Sequence, residues 1–356
     1  MIKNLPNPSL QRGSNEKLQG KEKKEQENFN KMNKRFWQGK RVLITGYEGF
    51  LGSWLVRTLL TTGADIFGLD IKTFRKETIL TRQDLSRIHI IKGNIKNFTL
   101  VSNIIRDNNI EIIFHLAAKS LVGKCLKNPL EALSTNIQGT WNILESCRDA
   151  GCVKTIVVAS SDKAYGEHKK LPYKEDTPLQ GNHPYDVSKS CGDLIAQMYH
   201  HTFGLPVAIT RCGNIYGPGD FNFSRIVPDA IKCALTDKTF FIRSDGKFIR
   251  DYVYVEDVVD GYIKIAERLQ KLELGGQAFN FSNETPLSVI ELVRLIYKIA
   301  QKRPHYKILG RVKYEIKQQY LCSQKAKRIL GWKPRYNLQN GLKKTIRGYQ
   351  EIFYGP

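Results

Sequence analysis

The sequence predicts an α/β fold in which a doubly wound parallel sheet is followed by a smaller mixed α/β lobe. Three observations lead to this prediction. Short runs of β-branched and other apolar residues recur through the first 212 residues, and segments long enough for a helix separate them. The runs lack polar alternation, which is typical of strands covered on both faces. A glycine-rich turn directly follows the first run.

The predicted sheet has six strands, and the helix after the first strand is expected to run to Leu60. The strands are predicted at residues 41–45, 66–70, 89–91, 112–116, 155–159 and 207–210. After Gly213 the alternation of strands and helices loosens, which predicts the smaller lobe. We therefore expect one domain at 36–212, with a return segment near 248–266, and a second lobe at 213–356.

The first 35 residues differ from the rest of the chain in composition. Lys, Glu, Asn and Gln dominate residues 1–35, and apolar side chains are few. Such a segment cannot bury enough surface to offset the entropy lost on ordering. We therefore predict a disordered basic tail at 1–35 and expect the fold to begin near Phe36.

The composition of the 356 residues, 41% hydrophobic and 25% charged, excludes wholesale disorder, a collagen-like repeat and a disulfide miniprotein. No stretch approaches the roughly 20 apolar residues that span a bilayer. Residues 1–35 lack the apolar core of a signal peptide. Seven scattered cysteines without a C-x-x-C pair are typical of reduced thiols. These features predict a cytoplasmic protein without a membrane partner.

The net charge is +22, from 56 Lys and Arg against 34 Asp and Glu. This excess would attract anionic partners, whether nucleotides, nucleic acid or a membrane surface, and does not by itself choose among them. The sequence has neither zinc-finger spacing nor an RNP-type aromatic motif. We therefore expect a soluble enzyme that has no nucleic-acid partner and no metal site.

A glycine-rich motif follows the first predicted strand and opens a helix. Its residues are Gly46-Tyr47-Glu48-Gly49-Phe50-Leu51-Gly52. Glycines let the backbone turn tightly and approach a pyrophosphate, whose charge is favoured at a helix N-terminus. A purely structural turn is the alternative. The position between strand and helix favours a dinucleotide-binding Rossmann domain.

Asp70 ends the second predicted strand. A carboxylate there can accept hydrogen bonds from both adenosine ribose hydroxyls, and it repels a 2′-phosphate. This favours NAD over NADP. Lys72 and Arg75 follow closely and could bind a 2′-phosphate, so that alternative stays open.

Two further groups of residues predict chemistry. In Tyr185-Asp186-Val187-Ser188-Lys189, helical spacing would put Tyr185 and Lys189 on one face. A lysine ammonium and an oxidised nicotinamide would lower the phenol pKa, which would make Tyr185 a usable base. Ser160-Ser161-Asp162-Lys163 follows the fifth strand, at the sheet edge where ligands bind. A turn-forming Ser-Ser-Asp is the alternative explanation.

Four additional motifs carry a family resemblance: His115-Leu116-Ala117-Ala118, Asn136-Ile137-Gln138-Gly139-Thr140, Arg211-Cys212-Gly213-Asn214-Ile215-Tyr216-Gly217-Pro218 and Arg250-Asp251-Tyr252-Val253-Tyr254-Val255-Glu256-Asp257. Over about residues 37–350, the chain resembles the extended short-chain dehydrogenase/reductases, the nucleotide-sugar epimerase/dehydratase family. The resemblance implies an NAD-binding Rossmann domain, a lobe that binds a nucleoside-diphosphate sugar, and a homodimer. The implied cofactor-binding residues are Gly46, Gly49, Phe50, Leu51, Gly52, Asp70, Asn94, Ile95, Leu116, Ala117, Ala118, Asn136, Tyr185 and Lys189.

Within that family, Ser161-Asp162-Lys163 resembles the CDP-glucose 4,6-dehydratases, while the motifs around Asn214 and Arg250 follow the general pattern and leave the nucleobase open. The implied reaction is oxidation at C4, elimination of water across C5 and C6, and return of hydride to C6. The resemblance makes Tyr185 the base for the 4-hydroxyl, with Ser161 and Lys189 assisting. Asp162 would be the acid at the C6 hydroxyl. Asn214, Arg225 and Arg250 would bind the substrate.

Several alternatives remain open at this stage. Lys163 stands where the family has its C5 base, and it could be a neutral base or a charged group that stabilises the enolate. A 4-epimerase of the same fold is the second functional hypothesis, with Asp162 and Lys163 only shaping the pocket. A dinucleotide-sensing protein without turnover is the third, and the presence of Tyr185 and Lys189 disfavours it.

Overall fold

A computed structural model describes residues 34–311 and 315–355. The predicted tail therefore lies outside the described residues, apart from its last two positions. Residues 34–37 form a helical turn, in which Gln38 N donates to Lys34 O at 2.9 Å. The described fold thus begins two residues before Phe36.

The main sheet is parallel and has seven strands, in the order β11-β6-β5-β4-β1-β2-β3. The strands are β1 (Arg41–Thr45), β2 (Asp65–Asp70), β3 (His89–Lys92), β4 (Ile112–His115), β5 (Thr155–Ala159), β6 (Val207–Cys212) and β11 (Ala278–Phe281). This arrangement confirms the predicted α/β fold class. All six predicted strands form, and their ends differ from the prediction by two residues at most.

Strand β11 was not predicted, because its four residues follow a glycine pair and look like any short apolar run. It pairs in parallel with β6, with Ala278 opposite Ile209 and Phe281 opposite Cys212. The main sheet is therefore completed by residues from beyond position 213 of the chain.

Helices cover both faces of the sheet. They are α1 (Phe50–Leu60), α2 (Arg82–Leu85), α3 (Phe98–Asp107), α4 (Val122–Lys127), α5 (Pro129–Leu133), α6 (Gly139–Ala150), α7 (Pro184–Phe203), α8 (Ile226–Leu235), α9 (Val255–Arg268), α10 (Val289–Ile299), α11 (Gln324–Leu330) and α12 (Leu338–Tyr354). Successive strand residues point to opposite faces. Val42 and Ile44 accordingly pack with α1 and α9, whereas Leu43 packs with α3, α6 and α7.

The remaining strands are short. They are β7 (Asn214–Tyr216), β8 (Phe240–Ile242), β9 (Ile249–Arg250), β10 (Tyr252–Tyr254), β12 (Leu287–Ser288), β13 (Tyr306–Ile308) and β14 (Gln318–Gln319). A separate apolar core forms between α8, α10 and α12. Within the described residues, no helix is long and apolar enough to cross a bilayer.

Candidate active site

The glycine-rich turn after β1 matches the shape that a pyrophosphate requires. Gly46 has a φ of +73°, and a Cβ there would lie 3.0 Å from the Ala117 Cα. A Cβ on Gly52 would overlap the Gly46 carbonyl oxygen. Phe50 and Leu51 form the first positions of α1. The turn therefore leaves a bare backbone surface at a helix N-terminus, which fits a dinucleotide phosphate.

The end of β2 carries a cluster that the sequence only partly indicated. Asp70 is buried and accepts from Lys72 N at 3.3 Å and from the Arg75 guanidinium. Glu48, inside the glycine motif, accepts from Phe74 N at 2.8 Å and Arg75 N at 3.1 Å. Arg75 thus lies beside the carboxylate that is predicted to bind the ribose hydroxyls. Glu48 was missed, although its charge inside a glycine motif could have drawn attention.

Asn94 and Ile95 lie in the turn after β3. The Asn94 side-chain oxygen accepts from Lys96 N at 3.0 Å. Ile95 is buried, and its carbonyl accepts from the Asn142 side chain at 2.9 Å. These bonds fix the turn between β3 and α3.

A buried polar network holds the segment after β4. His115 bonds Thr45 Oγ1 at 2.9 Å and Thr140 Oγ1 at 3.1 Å. Burial lowers the pKa of His115 to about 3, so the imidazole is neutral at physiological pH. Leu116 N and Ala117 N each donate to the same Thr45 oxygen at 3.1 Å. Thr45 thereby fixes the Leu116-Ala117-Ala118 segment against the glycine turn.

Asn136 lies in a π-helical turn at Ser134–Gln138. Its amide donates to Lys119 O at 3.0 Å and Ser188 Oγ at 2.8 Å, and its oxygen accepts from Lys119 N at 2.7 Å. These bonds join Asn136 to the backbone of Lys119 and to α7. Its direct contact with the cofactor stays a prediction.

Ser161, Asp162 and Lys163 lie in and beside a 3₁₀ turn, Asp162–Tyr165, at the carboxyl end of β5. Ser161 Oγ accepts from Lys163 N at 3.2 Å and donates to Asp162 Oδ1 at 3.0 Å. It also hydrogen-bonds Tyr185, which lowers the phenol pKa. The turn therefore brings four of the predicted catalytic residues together, with Tyr185 coming from α7.

Tyr185 and Lys189 lie on one face of α7, as predicted. Tyr185 is buried against Cys125 and Ala132. Burial raises its pKa, and the Ser161 hydrogen bond and the Arg225 charge oppose that shift. Lys189 Nζ donates to Ala159 O at 2.6 Å. Its predicted effect on the Tyr185 pKa beside a bound nicotinamide stays a prediction. Burial lowers the pKa of Lys189 to about 8.

The two neighbouring groups, Asp162 and Lys163, are shifted in opposite directions. Burial raises the pKa of the Asp162 carboxyl, while Lys163, Ser161 and Arg250 pull it down. Burial and then Arg250 lower the pKa of Lys163. A residue far along the chain holds this turn, since Gln319 Nε2 donates to Asp162 O at 2.8 Å. Gln319 is fully buried, and sequence reasoning gave no signal for it.

The predicted substrate-binding residues all come from beyond position 213 of the chain. Arg250 Nη1 donates to Ile249 O at 2.8 Å, and Nη2 lies 3.6 Å from Glu315 Oε2. Arg225 pairs with Asp220 at 3.1 Å. The Asn214 amide donates to Asp251 O at 3.2 Å. Arg250 acts electrostatically on Asp162 and Lys163, and Arg225 on Tyr185, so both cations reach the predicted catalytic groups.

A cavity of about 310 Å³ opens beside this turn. It is lined by Gly166, Glu167, Asn182, His183, Asp186, Glu315 and Ile316. Across residues 34–311 and 315–355, no group of three or more His, Cys, Asp or Glu side chains is arranged to hold a metal ion.

Comparisons with known proteins agree with this geometry. The family model described as GDP-mannose 4,6 dehydratase matches residues 43–345. CDP-glucose 4,6-dehydratase of Salmonella typhimurium is 32% identical over 343 residues, covering 91% of this chain and 94% of that protein. UDP-glucose 4-epimerase of Mycolicibacterium smegmatis is 30% identical over 320 residues, covering 87% of this chain and 98% of that protein.

A solved structure extends the comparison to the fold. The dTDP-glucose 4,6-dehydratase DesIV from Streptomyces venezuelae, solved with NAD bound, superposes with a TM-score of 0.79 at 29% identity. The match covers 87% of this chain and 97% of that one. The prediction of NAD as the cofactor agrees with the NAD bound in that structure. The glycine turn, the Ser161–Tyr185–Lys189 arrangement and these matches together establish that the chain belongs to the GDP-mannose 4,6 dehydratase family of nucleotide-sugar dehydratases and epimerases.

Proposed function

We propose that this chain is an NAD-dependent nucleoside-diphosphate-sugar 4,6-dehydratase that converts CDP-glucose, or a related nucleotide hexose, to a 4-keto-6-deoxy sugar. The observation that carries the proposal is the Asp162–Lys163 pair. Burial favours a protonated carboxyl at one position and a neutral amine at the next. A neutral carboxyl can donate a proton and a neutral amine can accept one, so the two neighbours suit an acid and a base that work in one site. Elimination of water needs both.

The cofactor proposal is NAD, bound along the glycine turn and Asp70. Leu116, Ala117 and Ala118 would line its path, and Asn94 and Ile95 would border its adenine end. When bound, NAD supplies the hydride acceptor for C4 of the sugar and the hydride donor for C6. The bare surface at Gly46 and Gly52 supports this fit.

Tyr185, Ser161 and Lys189 would act on the 4-hydroxyl. Tyr185 Oη takes its proton, and Ser161 Oγ, already bonded to Tyr185, holds the same oxygen. Burial lowers the pKa of Lys189 to about 8, which is still above 7, so the amine remains mostly protonated at neutral pH. It can therefore orient the ribose and stabilise the phenolate formed at Tyr185.

Asp162 and Lys163 would act once C4 is a ketone, which acidifies the C5 proton. Lys163 Nζ takes that proton, and the C5–H electron pair moves into the C4–C5 enolate. The enolate then expels the C6 hydroxyl, and Asp162 donates the proton that lets it leave as water. Arg225, Arg250 and Asn214 would bind the substrate, with the guanidinium groups suited to a diphosphate.

A 4-epimerase is the second candidate. Its specific support is the M. smegmatis UDP-glucose 4-epimerase, which is 30% identical, close to the 32% of the dehydratase relative. In an epimerase, Asp162 and Lys163 would only shape the pocket, because no proton leaves C5.

The deciding experiment incubates the protein with CDP-, GDP-, UDP- and dTDP-hexoses and measures loss of water by mass. Asp162→Asn keeps the volume but cannot deliver a proton, so 4-keto-hexose should accumulate without dehydration. Lys163→Met should stall at the same stage. Exchange of the C5 hydrogen for deuterium in deuterium oxide should persist in the Asp162 variant. It should vanish in the Lys163 variant, because that variant lacks the amine that takes the C5 proton.

Exposed residues provide matched controls. Asp149→Asn and Lys170→Met make the same side-chain changes on the surface and should leave turnover at the wild-type rate. If the wild-type protein releases sugar that is inverted at C4, neither dehydrated nor exchanged at C5, the dehydratase proposal fails and the epimerase replaces it.

We also propose that the protein is a homodimer. Helices α5, α6 and α7 expose large apolar side chains: Leu130, Trp141, Leu194 and Met198. The last two lie one turn apart on α7, and an exposed apolar stripe of this kind is typical of an interface.

A further inference from the structure

We propose that Glu48 is a specificity-determining residue that excludes NADP: its carboxylate fills an anion-binding loop after β2 that would otherwise accept a 2′-phosphate. The loop comprises residues 71–75 and follows directly on Asp70, the last residue of β2. The inference concerns the cofactor, so it applies to a dehydratase and to an epimerase alike.

The 71–75 loop has two features that suit a phosphate. Phe74 has a φ of +58°, a left-handed conformation that a bulky residue rarely adopts. Successive backbone N–H groups beside such a residue can converge on one anion. Arg75 adds a guanidinium, the group that accommodates the 2′-phosphate in NADP-binding Rossmann domains. By itself, the loop would therefore favour NADP.

Glu48 occupies this anion site from within the protein. Its Oε1 accepts from Phe74 N at 2.8 Å, and its Oε2 accepts from Arg75 N at 3.1 Å. The residue is only 1% exposed. Burial raises the pKa of the carboxyl, while the two amide bonds and the Arg75 charge oppose that shift. Both N–H groups that a phosphate would use are thus already bonded to a carboxylate.

The Arg75 guanidinium lies between two carboxylates. Its Nη2 donates to Asp70 Oδ1, and its Nε lies 3.9 Å from Glu48 Oε2. This Nε atom is buried and has no hydrogen-bond partner within residues 34–311 and 315–355. Two negative charges therefore surround one positive charge, and a 2′-phosphate would add to an excess of negative charge.

The same arrangement still accepts the ribose of NAD. In the part of the chain that the structure describes, Asp70 accepts hydrogen bonds from Lys72 N and from Arg75, and both go to Oδ1. Oδ2 is left for the ribose hydroxyls, which carry no charge. Glu48 therefore acts against the phosphate and not against the ribose.

The test measures NAD and NADP binding by calorimetry in the wild-type protein and in Glu48→Gln. Gln keeps the size of the side chain and removes its charge, which makes the loop and Arg75 available to a phosphate. Because a hydrogen bond to a charged group changes a binding constant about tenfold, we expect NADP to bind about tenfold more tightly and NAD affinity to stay unchanged. A merely structural role of Glu48 would weaken both cofactors equally.

A second substitution shows whether the gain depends on Arg75. In an Arg75→Met background, Glu48→Gln should no longer improve NADP binding, because the guanidinium that receives the phosphate is gone. The matched control is Glu77→Gln, which removes the same charge at an exposed position two residues farther along. It should leave both affinities at the wild-type values.

Adenosine 2′,5′-bisphosphate provides a readout without the nicotinamide. Glu48→Gln should bind this probe about tenfold more tightly than the wild-type protein does, by the same charge-assisted hydrogen bond. Binding of 5′-AMP, which lacks the 2′-phosphate, should be equal in the two proteins. Glu48→Ala serves as a second neutral variant if Glu48→Gln does not fold.

Two outcomes would overturn the proposal. An unchanged ratio of NAD to NADP affinity in the neutral variants would leave Asp70 alone in control of the preference. A wild-type protein that binds NADP as tightly as NAD would show that another cation, such as the exposed Lys72, serves the 2′-phosphate. None of these measurements uses a sugar, so a failure of the proposed dehydration would leave the role of Glu48 untouched.

Discussion

Burial controls the protonation of nearly every group in the site, and it acts differently on each residue type. It favours the neutral forms of Asp162, Lys163 and Tyr185 alike. For the carboxyl and the amine, the neutral form is the working form of an acid and a base. For Tyr185 it is only the starting form, because a base must become the phenolate. The Ser161 hydrogen bond and the Arg225 charge stabilise that phenolate.

Tyr185→Phe removes the phenol that is proposed to accept the 4-hydroxyl proton. We expect turnover to fall by about 10²–10⁴, the usual cost of losing a general base. NAD binding, measured by calorimetry, should remain, because the variant keeps the ring that packs against Cys125 and Ala132. Turnover near the wild-type rate would mean that another group is the base.

At the scale of elements, α7 connects the site to the sheet. Its first turn carries Tyr185 and Asp186, and farther along it Asp193 pairs with Arg211 of β6 at 2.8 and 2.9 Å. Arg211 also donates to Tyr165 Oη at 2.8 Å and Glu175 O at 3.0 Å. This buried pair fixes the helix relative to β6 and to the 3₁₀ turn.

Asp193→Ala should therefore destabilise the whole protein. It leaves the Arg211 charge buried without its partner, which costs about 3–5 kcal/mol. Urea unfolding at neutral pH measures the loss. Glu351→Ala, which breaks an exposed pair with Arg347, should change the free energy of unfolding by less than about 0.5 kcal/mol. Equal effects of the two variants would contradict the importance of the buried pair.

The same elements show what the sequence can and cannot predict. Strands 41–45 and 155–159 were predicted to the residue, because each is a continuous apolar run between polar segments. The predicted catalytic residues lie in two short segments, the turn after β5 and the start of α7, so their patterns are visible in the sequence. Gln319 was not predicted, because it reaches Asp162 across 157 residues through a two-residue strand. Asp186 was visible beside Tyr185, but its burial in a cavity depends on where α7 begins.

At the scale of the whole molecule, the proposed dimer has a direct test. Leu194→Glu combined with Met198→Glu puts two charges on the exposed face of α7, where the side chains are 53% and 43% exposed. Analytical ultracentrifugation should give the wild-type protein twice the mass of the 40.8 kDa chain. The double variant should sediment with the mass of one chain. Leu272→Glu, an exposed apolar site elsewhere, should stay dimeric. A wild-type protein of single mass would contradict the proposal.

Strand β11 has a consequence for how the chain is made. β6 ends at Cys212, yet the strand that covers its free edge begins only at Ala278. Ribosomes add about 5–20 residues per second, so the edge of β6 would wait roughly 3–13 s for its neighbour. An unpaired apolar strand is a template for aggregation. Slower translation of this stretch would lengthen that wait, and a chaperone that shields β6 during it would raise the yield of folded protein.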